Sequence, residues 1–480
     1  STKSPTMAEN HLKAPAESAP TRVHGGQLFT WGRGGSGQLG HSCRHPAPNC
    51  ALPHPVRELS NVVDVSCGGG QQGCTAAVTA DGRLYTFGND YKQRLGHEVP
   101  GCVEKPMPVR ALTGRPVRGV ACGSEFTACV LVDGSVLAWG GNANGCLGRG
   151  TRDSGPFGIG PVLGPSQPRQ PMVDAIAVDA EHNYAAAVLA SGALATWGSN
   201  AHGKLGHGGG TDRYTAEVVT GLPAQVVGVA LGSLYAGAVT ADGALWMWGY
   251  GGHGNLGLGG RASFATPQHV RGELAGRVVV RVACTRGQDG CKGGLNPACG
   301  GAEGPHTLAL TSEGDLFSFG TCHKGVLANL GSKDGAFGKP WDELEPYRIG
   351  GAIRNGVDKP PLSPFAAWPP PYDRIGQVIA IASGHIHAAA ACADGRCWAW
   401  GCGSNDGRCG VERFLNMSGE GKPPRVDAMK CYLMQPHLVG RARPAYWPHG
   451  PSLAGWRVLA LATGRNHMAA VAVLDATRGG

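Results

Sequence analysis

Short runs ending in an aromatic residue and a glycine return along the chain at Leu28–Gly32, Leu84–Gly88, Val136–Gly140, Leu194–Gly198, Leu245–Gly249, Leu316–Gly320 and Cys397–Gly401. Each is too short for a helix and carries the aromatic and apolar enrichment of a strand. Their glycines stand 56, 52, 58, 51, 71 and 81 residues apart. A period just above 50 built from strand-like units predicts a propeller or a similar array. In the first five copies the glycine of a Leu-Gly pair follows the aromatic by nine positions, at Gly40, Gly96, Gly148, Gly206 and Gly257. The sixth copy stretches to Leu330-Gly331 and the seventh to Cys409-Gly410.

Ahead of each aromatic comes an apolar run, a turn, a small-residue strand such as Thr75–Thr79, and then a turn pair. The pairs are Asp81-Gly82, Asp133-Gly134, Asp242-Gly243 and Asp394-Gly395, with Ser191-Gly192 and Glu313-Gly314 as variants. Asp-Gly predicts a hairpin with a type I′ turn, which needs positive φ at both central residues. A proline three residues before Val or Ile follows in several copies, at Pro53, Pro106, Pro267, Pro346 and Pro436. Proline there predicts an edge strand, where no amide donor is needed.

The ends of the pattern predict its closure. The chain enters on Leu28–Gly32 with no preceding inner half, and finishes on Trp456–Gly464 and Met468–Val473 with no following Trp-Gly half. Seven outer halves meet seven inner halves only if the N-terminal and C-terminal strands share a blade. The expected fold is therefore all-β: a seven-bladed β-propeller over residues 26–478, closed by that pairing, behind a flexible tail at 1–25. Closure removes free sheet edges.

Composition narrows the alternatives. Eighty glycines and 34 prolines among 480 residues exclude a helix bundle, and no Gly-X-Y period supports a collagen-like rod. A formal charge of +8, spread without a block of like charges, does not point to nucleic acid. No run of 18 apolar residues predicts a membrane span, and the first 25 residues lack the apolar core of a secretory signal, so a soluble protein is expected. A start at Ser1 fits removal of an initiator methionine or of a longer presequence. Seventeen cysteines, an odd number in a chain of this size, predict a reduced compartment. Cys43/Cys50, Cys67/Cys74, Cys122/Cys129, Cys284/Cys291 and Cys402/Cys409 each stand seven apart, wider than zinc pairs and at non-equivalent places in the repeat, so no metal site is expected.

The Trp/Phe-Gly, Leu-Gly and Asp-Gly elements together resemble the repeat family named for the regulator of chromosome condensation, over about residues 25 to 475. The resemblance implies the seven-bladed propeller. Its type member is a guanine-nucleotide exchange factor that acts on a small nuclear GTPase and itself also docks on chromatin, and other members are scaffolds, ubiquitin-ligase adaptors or cytoskeletal components. A propeller is a platform for many roles, so function has to be read from its departures.

Few residues point to chemistry. His306, His387 and His467 share a repeat position with Cys74, Phe126, Tyr184 and Tyr235, so packing with a polar tip is expected there rather than catalysis. The repeat tryptophans are expected to fill the space between blades. Glycine-rich stretches such as Gly32–Gly37 lack the ending of a phosphate loop, and no nucleophile elbow, His-Glu-x-x-His or kinase signature occurs. No enzyme and no cofactor are expected.

Three insertions are where individual function is expected: 288–305, 332–376 and 411–455. The second carries Trp341 and a proline-rich run with Phe365, Trp368 and Tyr372, which suits extended geometry with aromatic anchors. The third mixes basic residues, Arg413 and Arg425 among them, with Tyr446 and Trp447, and suits an acidic protein surface or RNA. These eight residues are the candidate partner-binding set. Both long insertions also suit cover for a propeller face. The expected function is a non-enzymatic scaffold or structural subunit of a large assembly, cytoplasmic, on a cytoskeletal or ciliary lattice or in an organellar particle. The alternative is nucleotide exchange on a small GTPase. Other proteins are the expected partners, and neither nucleic acid nor membrane insertion is.

Overall fold

The computed structural model describes residues 25–41, 49–70, 72–98, 101–153, 155–166, 169–286, 305–321, 326–327, 342–349, 377–393, 395, 397–401, 437–438 and 456–474. The chain enters on β1 (Gln27–Arg33) and β2 (Asn49–Pro55). Blade 1 follows as β3 (Val62–Gly68), β4 (Cys74–Thr79), β5 (Leu84–Gly88) and β6 (Val103–Pro108). Blade 2 is β7 (Val117–Cys122), β8 (Phe126–Leu131), β9 (Val136–Gly141) and β10 (Pro156–Pro161). Blade 3 is β11 (Ala175–Glu181), β12 (Tyr184–Leu189), β13 (Leu194–Gly198) and β14 (Arg213–Val218). Blade 4 is β15 (Val226–Leu231), β16 (Tyr235–Thr240), β17 (Leu245–Gly249) and β18 (Phe264–His269). Blade 5 is β19 (Val279–Cys284), β20 (His306–Thr311), β21 (Leu316–Thr321) and β22 (Asp342–Arg348). Blade 6 is β23 (Val378–Ser383), β24 (His387–Cys392), β25 (Cys397–Gly401) and β26 (His437–Leu438). The chain ends on β27 (Trp456–Thr463) and β28 (His467–Leu474), which join β1 and β2 in a seventh sheet of order β2-β1-β28-β27. Gly32 pairs with His467 and Gln27 with Ala472, so the inferred shared blade exists.

All seven sheets are four-stranded and antiparallel. The first strand of each blade contacts the first strands of both neighbours, so these seven strands line the axis. The proline-bearing strands β6, β18 and β22 are the outer edges, as the pattern predicts. The second strands are buried, but for the last two residues of β28, and rich in small side chains: β24 reads His-Ala-Ala-Ala-Ala-Cys. Small side chains in the middle of a sheet let neighbouring sheets stack closely.

The Trp-Gly and Leu-Gly elements are two halves of one contact between blades. Trp139 of blade 2 is fully buried and its indole N–H donates to the Arg94 carbonyl of blade 1 at 2.9 Å. Trp197 donates likewise to Cys146 O, Trp248 to Lys204 O and Trp400 to Val326 O. Each accepting residue stands just before the leucine of the previous blade's Leu-Gly pair or its counterpart. The glycine then lies under the aromatic: at Gly96, φ +77°, an added Cβ would come within 2.7 Å of Trp139 Nε1. Burying such an aromatic is worth about 1.5–3 kcal/mol, and its hydrogen bond about 1 kcal/mol more.

The hairpin turns differ from the expected type. Gly82, Gly134 and Gly243 have positive φ, whereas their aspartates do not. Gly82 N–H donates to Thr79 O, and Thr79 N–H to Arg83 O. This is a type I turn followed by a left-handed glycine bulge, not type I′. The aspartate is selected by hydrogen bonding instead: Asp242 accepts from Thr240 Oγ1 at 2.6 Å and from Ala244 N–H at 3.3 Å.

Candidate partner-binding faces

Antiparallel order dictates which loops share a face. In every blade the links from first to second and from third to fourth strand leave on one side, here called the connection face. The second-to-third hairpins and the links to the next blade leave on the other, the hairpin face.

None of the eight candidates, Trp341, Phe365, Trp368, Tyr372, Arg413, Arg425, Tyr446 and Trp447, lies within the described residues. Of the stretch 332–376, the described part is outer strand β22 and Ile349.

At the connection face the axis is plugged. Arg286 reaches from blade 5 to blade 3, where its guanidinium pairs with Asp179 and donates to Ala180 O. Asp179 also accepts Leu231 N–H of blade 4 at 2.8 Å, and Glu181 accepts the Ser233 hydroxyl at 3.2 Å. Around them stand Cys67, Ser124 and Arg465, and the space left is too small for a water molecule. On the rim, the links between third and fourth strands carry aromatic and basic groups. Tyr91 is 51% exposed beside Lys92, Arg152 lies 4.8 Å from the Tyr214 ring centroid, and Tyr250 packs between His202 and His253.

The titratable groups beneath this rim tie blades together. Arg94, fully buried, donates to the carbonyls of Asn89, Gly69 and Gln72 in its own blade and of Ser124 in the next. Lys204 lies 4.3 Å from the Tyr184 ring centroid and donates to Ser233 O of blade 4; burial pulls its pKa down to about 8. Both occupy the position before Leu-Gly, which holds Gln38, Cys146 and Asn255 elsewhere. No motif marks them, and burial alone reveals them.

The histidine position behaves as expected. Tyr184 OH donates to carbonyls of Gly232 or Tyr235 in the next blade, and Tyr235 OH to His306 O in the one after. His306 Nε2 lies 2.9 Å from Ser383 Oγ of blade 6, and His467 Nε2 3.1 Å from Thr75 Oγ1 of blade 1. Burial first, with the His385 charge second, lowers His306 to about 3, and burial lowers His467 to about 4, so both are neutral staples at neutral pH. Of the cysteine pairs seven apart, Cys67 is the last but one residue of β3 and Cys74 the first of β4, while Cys122 ends a strand whose partner holds Cys129 in mid-run. Among the described residues no cluster of His, Cys, Asp or Glu suits a metal ion.

The family model described as regulator of chromosome condensation (RCC1) repeat matches residues 25–74, 81–130, 133–185 and 242–287. The chain is 36% identical over 266 residues to the human E3 ubiquitin-protein ligase HERC2, covering 54% of this chain and 5% of that one. It is 29% identical over 406 residues to the Arabidopsis thaliana ultraviolet-B receptor UVR8, covering 83% of this chain and 78% of the receptor. Its fold is similar to that of Prp20p from Saccharomyces cerevisiae, with TM-score 0.68, 15% identity, and coverage of 95% and 93% of the two chains.

Proposed function

The chain belongs to the regulator of chromosome condensation (RCC1) repeat family, and from that premise we propose that it is a non-enzymatic scaffold or structural subunit that holds other proteins in a large assembly. One observation carries this reading. The axis at the connection face is sealed by Arg286, Asp179 and Glu181, while the loops around it carry exposed aromatic and basic groups on rigidly stapled blades. A sealed, rigid surface with aromatic and arginine anchors suits protein docking, because little conformational entropy is lost when a partner binds. HERC2, of which this chain spans 5%, is a ubiquitin-protein ligase. We place the assembly in the cytoplasm, on a cytoskeletal or ciliary lattice or in an organellar particle.

A second reading is nucleotide exchange on a small GTPase. It is favoured by the ring shared with Prp20p, whose structure is described together with its binding properties to Gsp1p and histones. Exchange needs no cofactor and no cleavage chemistry, so a sealed face accommodates it. Affinity purification of the tagged full chain from native extract at low and high salt tests both readings. A fixed set of partner proteins that survives high salt, and is lost with Tyr91→Ala and Arg152→Ala together, is expected. Enrichment of one small GTPase in its nucleotide-free form would replace the scaffold reading with the exchange reading. Recovery of no protein would end both.

A further inference from the structure

The hairpin face is chemically unlike the connection face. Among the described residues ten large apolar side chains are exposed, and six of them gather on the hairpin face of blades 2 to 5: Val132, Val173, Ile176, Val227, Val278 and Val280. Tyr91 alone of the ten belongs to a connection-face loop.

The centre of that cluster is built by a repeated backbone device. Every axial strand carries a register shift near its start: between Val62 and Asp64, Val117 and Gly119, Ala175 and Ala177, Val226 and Gly228, Val279 and Arg281, Val378 and Ala380, and Val458 and Ala460. A bulge re-aims the extra residue and leaves it outside the ladder. The seven extra residues are Val63, Arg118, Ile176, Val227, Val280, Ile379 and Leu459, and they encircle the axis at its hairpin-face end. Ile176, Val227 and Val280 are 44%, 60% and 42% exposed. Branched aliphatics standing in water at an axial opening are unfavourable in a free protein, and contiguous exposed apolar surface marks an interaction site.

Charge says what kind of partner fits. Arg118 is itself a ring member, and Arg281 and Arg457, both exposed, lie one residue after and two residues before ring positions. None of the three makes an ion pair among the described residues, and Arg118 donates only to Val132 O at 3.4 Å. Of the acidic groups on this face, Asp64 is held by the Val65 and Val120 amides at 3.0 and 2.9 Å, Asp133 and Asp242 accept from Ser135 and Ala244 in their own hairpins, and Asp174, two residues before Ile176, is exposed. Beside Arg115 and Val132, a hollow of about 280 Å³ extends the surface outward between the blade 2 hairpin and its neighbouring link.

We propose that the hairpin-face mouth of the axis docks a partner protein through an acidic segment carrying a large aliphatic or aromatic side chain. The apolar side chain covers the ring at Ile176, Val227 and Val280, and the flanking carboxylates meet Arg118, Arg281 and Arg457. Burying the ring removes the apolar surface from water, and the arginines select the sign of the flanks and raise the encounter rate. This rests on the reading of the ring as a binding platform but uses the opposite face, so the two fail separately.

The test is fluorescence anisotropy of labelled peptides with the full chain. The probe is a peptide with Leu and Phe at its centre and Asp and Glu on both sides; its controls carry Ala at the centre or Lys on the flanks. The acidic, apolar peptide is expected to bind and both controls to bind at least about tenfold more weakly, a difference of about 1.4 kcal/mol. Val227→Asp and Val280→Asp, at exposed positions, are expected to weaken it at least about tenfold, and Arg118→Ala to weaken it at low salt but little at high salt. Thermal melting confirms that each variant is folded, and recovery of connection-face partners should be unchanged. Equal binding of the Ala-centred control, or no effect of Val227→Asp, would overturn the proposal. So would binding that appears only after residues 356–372 are deleted, which would make the chain itself the occupant.

Discussion

Acid should loosen this ring through its histidine staples. His306 joins blade 5 to blade 6 and His467 joins blade 7 to blade 1, and burial holds them neutral to about pH 3 and 4. In the unfolded chain both return to about 6.5. Below that pH the unfolded state binds more protons than the folded one, so stability falls as pH falls, by about 1.4 kcal/mol per unit for each group. From pH 6.5 to 5.0 the loss is about 1.6 kcal/mol per histidine and about 3 kcal/mol for the pair, because the slope rises from half its full value at pH 6.5 and both folded values lie below the window. Asp64 and Asp90, whose carboxyls burial pushes up, act in the opposite sense, so the histidine contribution has to be isolated by difference. Urea unfolding of the full chain at several pH values, compared with His306→Gln/His467→Gln, isolates it. Glutamine keeps a hydrogen-bonding tip and does not titrate. The variant is expected to start less stable and to lose about 3 kcal/mol less over the interval. Parallel curves for the two proteins would refute the argument, since the staples would then be protonated in the fold or free to leave their sites.

Further expectations concern the backbone and the closure. Gln93 holds φ +60° where Gly37, Gly145, Gly203 and Gly254 stand in other blades, so Gln93→Gly should raise stability by about 1 kcal/mol in the same urea assay. Gly203→Ala should do the reverse, by at least about 2 kcal/mol, because its Cβ would meet the Ala265 Cα at 2.5 Å and its φ is +73°. Deleting residues 456–480 removes β27 and β28 and leaves β1 unpaired on one edge; a native-like melt of that truncation would contradict the closed ring.

The architecture was legible because its determinants are local and repeated seven times. The aromatic of one blade and the Leu-Gly of the previous one are read directly, and the unmatched halves at the two ends dictate the shared blade. What escaped reading involves geometry between copies. The turn type was missed because Asp242 is chosen by hydrogen bonds to Thr240 and Ala244, whereas sequence statistics favour I′. Arg94 and Lys204 occupy a position that tolerates five chemistries, so no pattern singles them out. The ring of bulged residues carries no motif at all, since Val63, Arg118 and Leu459 become equivalent only when strand register is known. The eight candidates at Trp341, Phe365, Trp368, Tyr372, Arg413, Arg425, Tyr446 and Trp447 fall outside the described residues.

The shared blade also sets a schedule for biosynthesis. Gly32 leaves the ribosome 435 positions before His467, the residue it pairs with. At about 5–20 residues per second, β1 therefore waits roughly 20 to 90 seconds with one edge unsatisfied. During that time six blades can assemble in order, each laid on the last, while the apolar run Leu28-Phe29-Thr30-Trp31 stays available to any other strand edge nearby. Strand β28, 435 positions downstream, is thus the one that ends this exposure.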